Sequence, residues 1–217
     1  MFTGIIEAVG TVANLVFKDD QARMRVATDA GFSGFEMGES IAVNGVCLTV
    51  CDFGDQWFAV DMTTETLNRT SFNQVKEQSR VNLERALTPD KKMSGHFVTG
   101  HVDAVARVAE IQPKTGEVLY RFEHPPELSP FLIEKGSAAV DGISLTVFNC
   151  RDNHFTVSII PFTLEHTNLK DRKPGDSVNI ECDMIGKYVV RACETMFGRS
   201  GEGGGISTDF LKQHGFA

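Results

Sequence analysis

Long hydrophobic runs are missing from this sequence. No apolar stretch approaches the ~18 residues that a membrane-spanning helix needs. Positive charge is also short: 21 Lys and Arg stand against 29 Asp and Glu, a formal net charge of -8 over 217 residues. Nucleic acid and anionic membranes both reward a basic face, so neither is expected as a partner. Cysteine is sparse and shows no pairing pattern. There are five, Cys47, Cys51, Cys150, Cys182 and Cys193, an odd count without a CxxC. Free thiols in a reducing cytosol fit this better than a disulfide framework. The ordinary role of a small buried hydrophobe is expected for all but Cys47. HExxH, GxSxG and the Rossmann GxGxxG are absent. His96 and His101 lack metal-ligand spacing, so no metal is assigned. The opening Met1-Phe2-Thr3-Gly4 has no basic segment leading into an apolar one. No secretory signal is expected, and a cytoplasmic location is.

What the sequence has is a repeat. Residues 40–50 (SIAVNGVCLTV) and 137–147 (SAAVDGISLTV) share seven of eleven residues. Residues 1–12 match 97–108, residues 58–72 match 155–169, and residues 79–84 match 176–181. Four blocks in one order at nearly one spacing indicate two tandem domains. A solenoid would repeat at a shorter period, about 20–50 residues.

Each copy reads as short strands separated by turns. In the first copy the strands are expected at 9–16, 24–27, 41–43, 46–52, 57–62 and 81–84. In the second they are expected at 102–111, 119–122, 138–140, 143–150, 155–160 and 178–182. Asn44-Gly45 and Asp141-Gly142 are hairpin turns feeding alternating, β-branched strands. Six short strands per copy fit a small closed barrel, which leaves no edge exposed. Brief helical pieces are expected at 64–67, 126–134 and 161–164, and Thr88-Pro89-Asp90-Lys91-Lys92 joins the copies. Residues 187–196 place Tyr188, Val189, Ala192, Cys193 and Met196 at helical spacing. That helix either packs on its own barrel or joins subunits. Residues 198–205 are Gly-rich and linker-like, and 209–216 is expected to add a last helical turn. The division is therefore a barrel at 1–90, a barrel at 91–186, a helix at 187–197 and a tail at 198–217. Because Met1 and Phe2 align with Phe97 and Val98, the first residues are expected to be structural.

The copies differ where chemistry could sit. Cys47 stands opposite Ser144, and Ile5 opposite His101. Gly38-Glu39-Ser40 stands opposite Lys135-Gly136-Ser137, a lone cation in the second copy. Two concave sites, each with Thr hydroxyls, a Gly and apolar walls, suit a flat polar heterocycle. One carries a thiol, the other an imidazole and a hydroxyl, which serve nucleophilic and proton-transfer chemistry respectively. Taken singly, Cys47 and His101 have ordinary structural roles. Their matching positions in duplicated sites single them out.

Together, MFTGIIE, NGVCLTV, the ETL-x-RT run at 65–70, SGHFVTGHVD at 94–103 and DGISLTV resemble the riboflavin synthase family of the α type. The resemblance covers residues 1 to about 197, with one mild departure at Met93-Ser94-Gly95-His96, where the family often has Gly-Gly-His. It implies an all-β fold of two tandem six-stranded Greek-key barrels, plus a C-terminal α-helix that joins a homotrimer. It implies dismutation of two 6,7-dimethyl-8-ribityllumazine molecules by transfer of a four-carbon unit. The products are riboflavin and 5-amino-6-ribitylamino-2,4(1H,3H)-pyrimidinedione, made without cofactor or metal. The site lies between the first barrel of one chain and the second barrel of a neighbour, with two lumazines per site. Association with lumazine synthase is a further implied partnership.

Carried over by motif, one pocket is Gly4, Ile5, Ile6, Cys47, Leu48, Thr49, Asp61, Met62, Thr63, Thr64, Glu65 and Thr66. The other is Gly100, His101, Val102, Ser144, Leu145, Thr146, Ile159, Ile160, Pro161, Phe162, Thr163 and Leu164, with Lys135 reaching across. His101 and Ser144 are expected to move the methyl proton. Cys47 or a water adds to the second ring, and Asp141 and Thr146 orient or polarise. A non-catalytic lumazine- or flavin-binding protein of the same fold is the competing reading.

Overall fold

A computed structural model describes residues 1–18 and 21–197. The first six strands are β1 (Ala8–Lys18), β2 (Gln21–Ala27), β3 (Ser40–Val43), β4 (Val46–Gly54), β5 (Trp57–Thr63) and β6 (Arg80–Arg85). The next six are β7 (Ala104–Lys114), β8 (Glu117–Glu123), β9 (Ser137–Val140), β10 (Ile143–Arg151), β11 (His154–Ile159) and β12 (Ser177–Cys182). Among the described residues there are also three α-helices, α1 (Thr64–Arg69), α2 (Pro161–Glu165) and α3 (Met184–Phe197), and three short 3-10 turns at Ser71–Asn73, Pro126–Phe131 and Asn168–Asp171. Each set of six strands closes into an antiparallel barrel. The orders are β1-β2-β5-β4-β3-β6 and, in the same sense, β7-β8-β11-β10-β9-β12.

The alternation of residues explains the strands. In β2, Ala22, Met24 and Val26 point inward while Gln21, Arg23 and Arg25 face solvent, a period of two with one face buried. The hairpin turns hold both central residues at positive φ, Asn44 at 46° and Gly45 at 76°, Asp141 at 46° and Gly142 at 80°. This is the primed turn that matches strand twist. The register shifts between Val12 and Asn14 and between Val108 and Glu110. These bulges bend the long strands around the barrel wall.

Several expected boundaries move. The strand expected from 102 begins at Ala104, because the residues before it cross to the other barrel. The strand expected to end at 160 stops at Ile159, and Ile160 is the N-cap of α2. The helix expected at 126–134 is a 3-10 turn spanning Pro126–Phe131. Pro130 lies inside it and lacks the amide that would continue it. The long helix starts earlier, at Met184. The 198–205 linker and the 209–216 turn lie outside the described residues.

Each barrel has its own core. Met24, Phe35, Phe58, Phe72 and Leu83 fill the first. Tyr120, Phe122, Phe155, Leu169 and Ile180 fill the second. Each fully buried large side chain contributes about 1.5–3 kcal/mol. Of the four cysteines expected to be buried, Cys182 is, Cys51 and Cys150 are half-buried, and Cys193 is exposed on α3. All five are free thiols. Burial pushes the Cys182 thiol up to about 12. Lys187 on α3 pairs with Asp103 at 2.6 Å, yet Ile185, Tyr188, Val189 and Met196 stay exposed. No described helix is long and apolar enough to cross a membrane.

The barrels meet at a seam with near two-fold symmetry. Phe2, fully buried, forms an antiparallel bridge with Val98. Ala42 and Ala139 pack beside them. Below lies a buried amide network. Asn82 donates to the Asp141 carbonyl at 3.0 Å, and Asn179 donates to the Asn44 carbonyl at 2.9 Å. Buried amides with partners on both barrels fix the relative orientation of the two halves, since a misaligned seam leaves them unpaired.

Candidate active site

The two sites are built on the outer walls of the barrels. Along β4, Val46, Leu48 and Val50 point into the core, so Cys47 and Thr49 face out. Along β10, Ile143 and Val147 point in, and Ser144 and Thr146 take the outward face. Leu48, Met62 and Ile159 were expected to touch ligand. Their side chains are committed to the cores instead, because residues one apart on a strand cannot share a face. Leu145 and Leu164 pack against the second core.

A short segment crosses the seam to cover each outward residue. The Cys47 amide donates to the Gly100 carbonyl at 2.9 Å, and the Ser144 amide to the Gly4 carbonyl at 2.7 Å. Gly100 has φ +83°, and a Cβ there would sit 2.5 Å from the Cys47 Cβ. Gly4 has φ +77°, and a Cβ there would sit 2.6 Å from the Ser144 Cβ. Both positions therefore require glycine. Beyond them, Val102 packs on the first core and Ile6 on the second.

The expected grouping is thus exchanged. Gly100, His101 and Val102 stand with Cys47, and Gly4, Ile5 and Ile6 stand with Ser144. The Phe2–Val98 bridge causes the exchange, since it carries each segment past its own barrel.

Over the first barrel this produces a cleft of about 340 Å³, lined by Cys47, Thr63, Glu65, Thr66, Arg69, Thr70, Gly100, His101 and Val102. Thr63 also caps α1, accepting from the Thr66 amide at 3.3 Å. Arg69 and Thr70 extend the expected lining. They belong to the ETL-x-RT run, so their signal was in the sequence. Asp61 is drawn away by Arg23, which donates to both its oxygens at 2.7 and 2.8 Å. That bond holds its carboxyl below the usual range.

At the second barrel, Ser144 Oγ shares a 2.7 Å hydrogen bond with His96 Nδ1. His101, the expected partner of Ser144, is instead exposed beside Cys47. His96 is placed by its backbone, whose amide donates to the Thr3 carbonyl at 3.1 Å. Gly95 permits that approach, because a Cβ on it would come 2.0 Å from the Thr3 oxygen. Burial holds the His96 imidazole below its ordinary value, with Asp183 opposing. Its Nε2 is buried without a partner among the described residues. A neutral imidazole bonded to a hydroxyl can take that hydroxyl's proton. Comparison of the two copies missed His96 because it lies one residue ahead of the aligned block.

The remaining expected residues divide. Thr146 is exposed on the Ser144 face, and Lys135 lies near Phe148 with its Nζ 5.1 Å from the ring. Ile160, Pro161, Phe162 and Thr163 form the rim at α2, where Phe162 stacks on His166 at 4.1 Å. Aromatic groups here occupy the positions of Glu65 and Arg69. Thr64 and Glu65 open α1. Asp141 is not at the site. It is fully buried in the seam, accepting from the Asn179 amide at 2.9 Å and paired with Arg172. Asn44 makes the matching bond to the Asn82 amide at 2.8 Å, so this position caps a neighbouring strand in both copies.

A family model for the lumazine binding domain matches residues 3–86 and 99–183. A protein of Actinobacillus pleuropneumoniae named riboflavin synthase is 43% identical over 216 residues, covering 100% of both chains. One of Bacillus amyloliquefaciens, with the same name, is 44% identical over 191 residues, covering 88% of this chain and 89% of that one. Among solved structures, LumP complexed with riboflavin superposes with a TM-score of 0.79 at 23% identity, over 84% of this chain and 99% of that one. LumP complexed with 6,7-dimethyl-8-(1'-D-ribityl) lumazine gives 0.76 over the same shares.

Proposed function

Since the chain belongs to the riboflavin synthase family of paired lumazine-binding domains, we propose that this enzyme dismutates two molecules of 6,7-dimethyl-8-ribityllumazine. One molecule gives up a four-carbon unit and becomes the ribitylamino-pyrimidinedione. The other receives it and becomes riboflavin. One observation carries the reading. Two symmetry-related outer-wall sites are covered in the same way yet carry unlike groups, Cys47 in one and the Ser144–His96 pair in the other. Identical substrates that must play opposite parts need this arrangement.

In the mechanism we assign, His96 takes a proton through Ser144, or directly, from the acidic methyl group of one lumazine. Cys47, or a water beside it, adds to the ring of the other, with His101 next to it. Thr63, Thr66 and Arg69 line the cleft over the first barrel, and we assign them to the ribityl chain and ring oxygens. Holding two rings in one orientation replaces a bimolecular encounter, and effective molarities of about 10⁵ M and above are available from such positioning.

Within one chain the two sites cover separate barrels. We therefore place the working site between the first barrel of one protomer and the second barrel of another. A homotrimer held by α3 supplies that contact, and the exposed Ile185, Tyr188, Val189 and Met196 support it. Association with lumazine synthase, which makes the substrate, belongs to the same proposal. The test is incubation of purified protein with the lumazine alone, chelator present, while flavin absorbance is followed. Growth of that absorbance supports the reading. Tight lumazine binding at one molecule per chain without flavin would instead mark a binding protein.

A further inference from the structure

Two buried glutamates hold the crossing segments, and each belongs to the opposite barrel from the site it serves. Glu84, on β6, accepts from the Thr3 amide and the Thr3 hydroxyl on one oxygen, both at 2.7 Å. Its other oxygen accepts from the Gly4 amide at 2.9 Å. Glu181, on β12, repeats the arrangement with the Thr99 amide at 2.6 Å, the Thr99 hydroxyl at 2.7 Å and the Gly100 amide at 2.9 Å. Each carboxylate is thus fully committed to three donors within two residues. Charge-assisted bonds of this kind are roughly twice as strong as neutral ones.

The bonds continue past the glutamates. Gly4, held by Glu84, presents its carbonyl to the Ser144 amide, and Gly100, held by Glu181, presents its carbonyl to the Cys47 amide. Thr3, also held by Glu84, presents its carbonyl to the His96 amide at 3.1 Å. Glu84 lies in the first barrel, yet both members of the Ser144–His96 pair hang from the segment it fixes. Glu181 lies in the second barrel, yet its segment covers Cys47.

We propose that Glu84 and Glu181 are crossed positioning residues, each barrel carrying the clamp that sets the other barrel's reactive group. The inference deepens the reading above, since it takes Cys47 and Ser144 as the two reactive positions. It follows that neither half presents a finished site without the other, and that a disturbance of one clamp is felt across the seam.

The test reads thiol accessibility in the full chain, without lumazine. Iodoacetamide labelling rates are resolved by peptide mass spectrometry for the wild type, Glu84→Gln and Glu181→Gln. The same changes are made in a Ser144→Cys background, which gives the second site a reporter thiol. A glutamine offers one acceptor and turns a donor toward an amide, so the clamp is broken with little change in size. Glu181→Gln is expected to raise labelling of Cys47 about tenfold and leave position 144 within about twofold, with Glu84→Gln giving the reverse, on the scale expected for losing charged hydrogen bonds. Labelling of the buried Cys182 reports opening of the second barrel. If a glutamine variant labels there or is insoluble, Thr3→Val and Thr99→Val replace it. They remove the hydroxyl, which donates to the glutamate and also accepts from the Ile5 or His101 amide. The two backbone amides stay on the carboxylate, so these variants should give the same crossed pattern at smaller amplitude.

A response confined to the barrel that carries the substitution, an equal response at both reporters, or none at either overturns the proposal. Because labelling needs no substrate, a crossed pattern in a protein that makes no flavin would remove the enzymatic reading and leave the clamp. Normal flavin formation with an uncrossed pattern would do the opposite. In a turning-over protein, Glu84→Gln should lower kcat and shift the acid limb of the pH profile, because His96 is displaced. Glu181→Gln should leave that limb in place.

Discussion

Ser144 Oγ and His96 Nδ1 lie 2.7 Å apart. They are 48 residues apart in the chain, His96 ahead of the first strand of the second domain and Ser144 on β10. The contact exists because the first residues of the chain run alongside residues 95–98. Positioned imidazole catalysis contributes about 10²–10⁴-fold. Substituting His96→Gln should lower kcat by about that factor with a small change in KM. Turnover within about threefold of wild type would remove His96 from the chemistry.

The pH dependence has a definite sign. Burial lowers the His96 value below its ordinary position near 6.5. The folded protein therefore keeps this imidazole neutral at a pH where the unfolded chain has already protonated it. Its contribution to stability is complete above about 6.5 and is lost as pH falls through the lower folded value. The acid limb of kcat/KM should accordingly lie below about 6.5. His96→Gln should reduce the loss of urea stability between neutral and mildly acidic pH. An acid limb above 6.5 would contradict the burial argument.

Gly100→Ala forces a side chain against Cys47, where a Cβ would stand 2.5 Å from its neighbour. The backbone must also leave φ +83° or remain strained there. Loss of about 1–3 kcal/mol is expected, together with loss of the cleft over the first barrel. Thermal denaturation and lumazine fluorescence quenching would show both. A variant with unchanged melting and binding would mean that the crossing segment is not held as described.

Asp141→Ala should damage the fold and spare the chemistry. It leaves Arg172 and the Asn179 amide without the carboxylate they share. Removing one partner of a buried charge pair costs about 3–5 kcal/mol. Asp141→Asn, which copies Asn44 of the other half, should cost less. Urea denaturation measures the loss, and kcat at a temperature where the protein stays folded should remain near wild type. Loss of turnover at full stability would return Asp141 to the reacting group.

Much of the fold was legible along the chain. Alternation in β2, the Asn44-Gly45 and Asp141-Gly142 turns and the shared blocks all report local preferences that the packed structure keeps. Legibility failed where a residue's neighbour comes from the other half. Leu48 and Met62 read as pocket residues because they stand inside motifs, and the strand pleat turns them into the core. Asp141 read as chemical because it opens the DGISLTV motif that carries Ser144, and the turn directs its carboxylate into the seam. Cys193 read as buried because of its residue type, but α3 leaves it exposed.

The sequence alone determined two like domains, their strand and turn pattern, and a thiol facing a hydroxyl at one repeated position. Those features follow from interactions a few residues long, so the order of residues suffices to show them. Which segment covers which reactive group, and which histidine meets the serine, was decided only in three dimensions. A repeat aligned on itself treats the own-barrel and crossed pairings as equivalent. The Phe2–Val98 bridge, made between residues far apart along the chain, selects one of them.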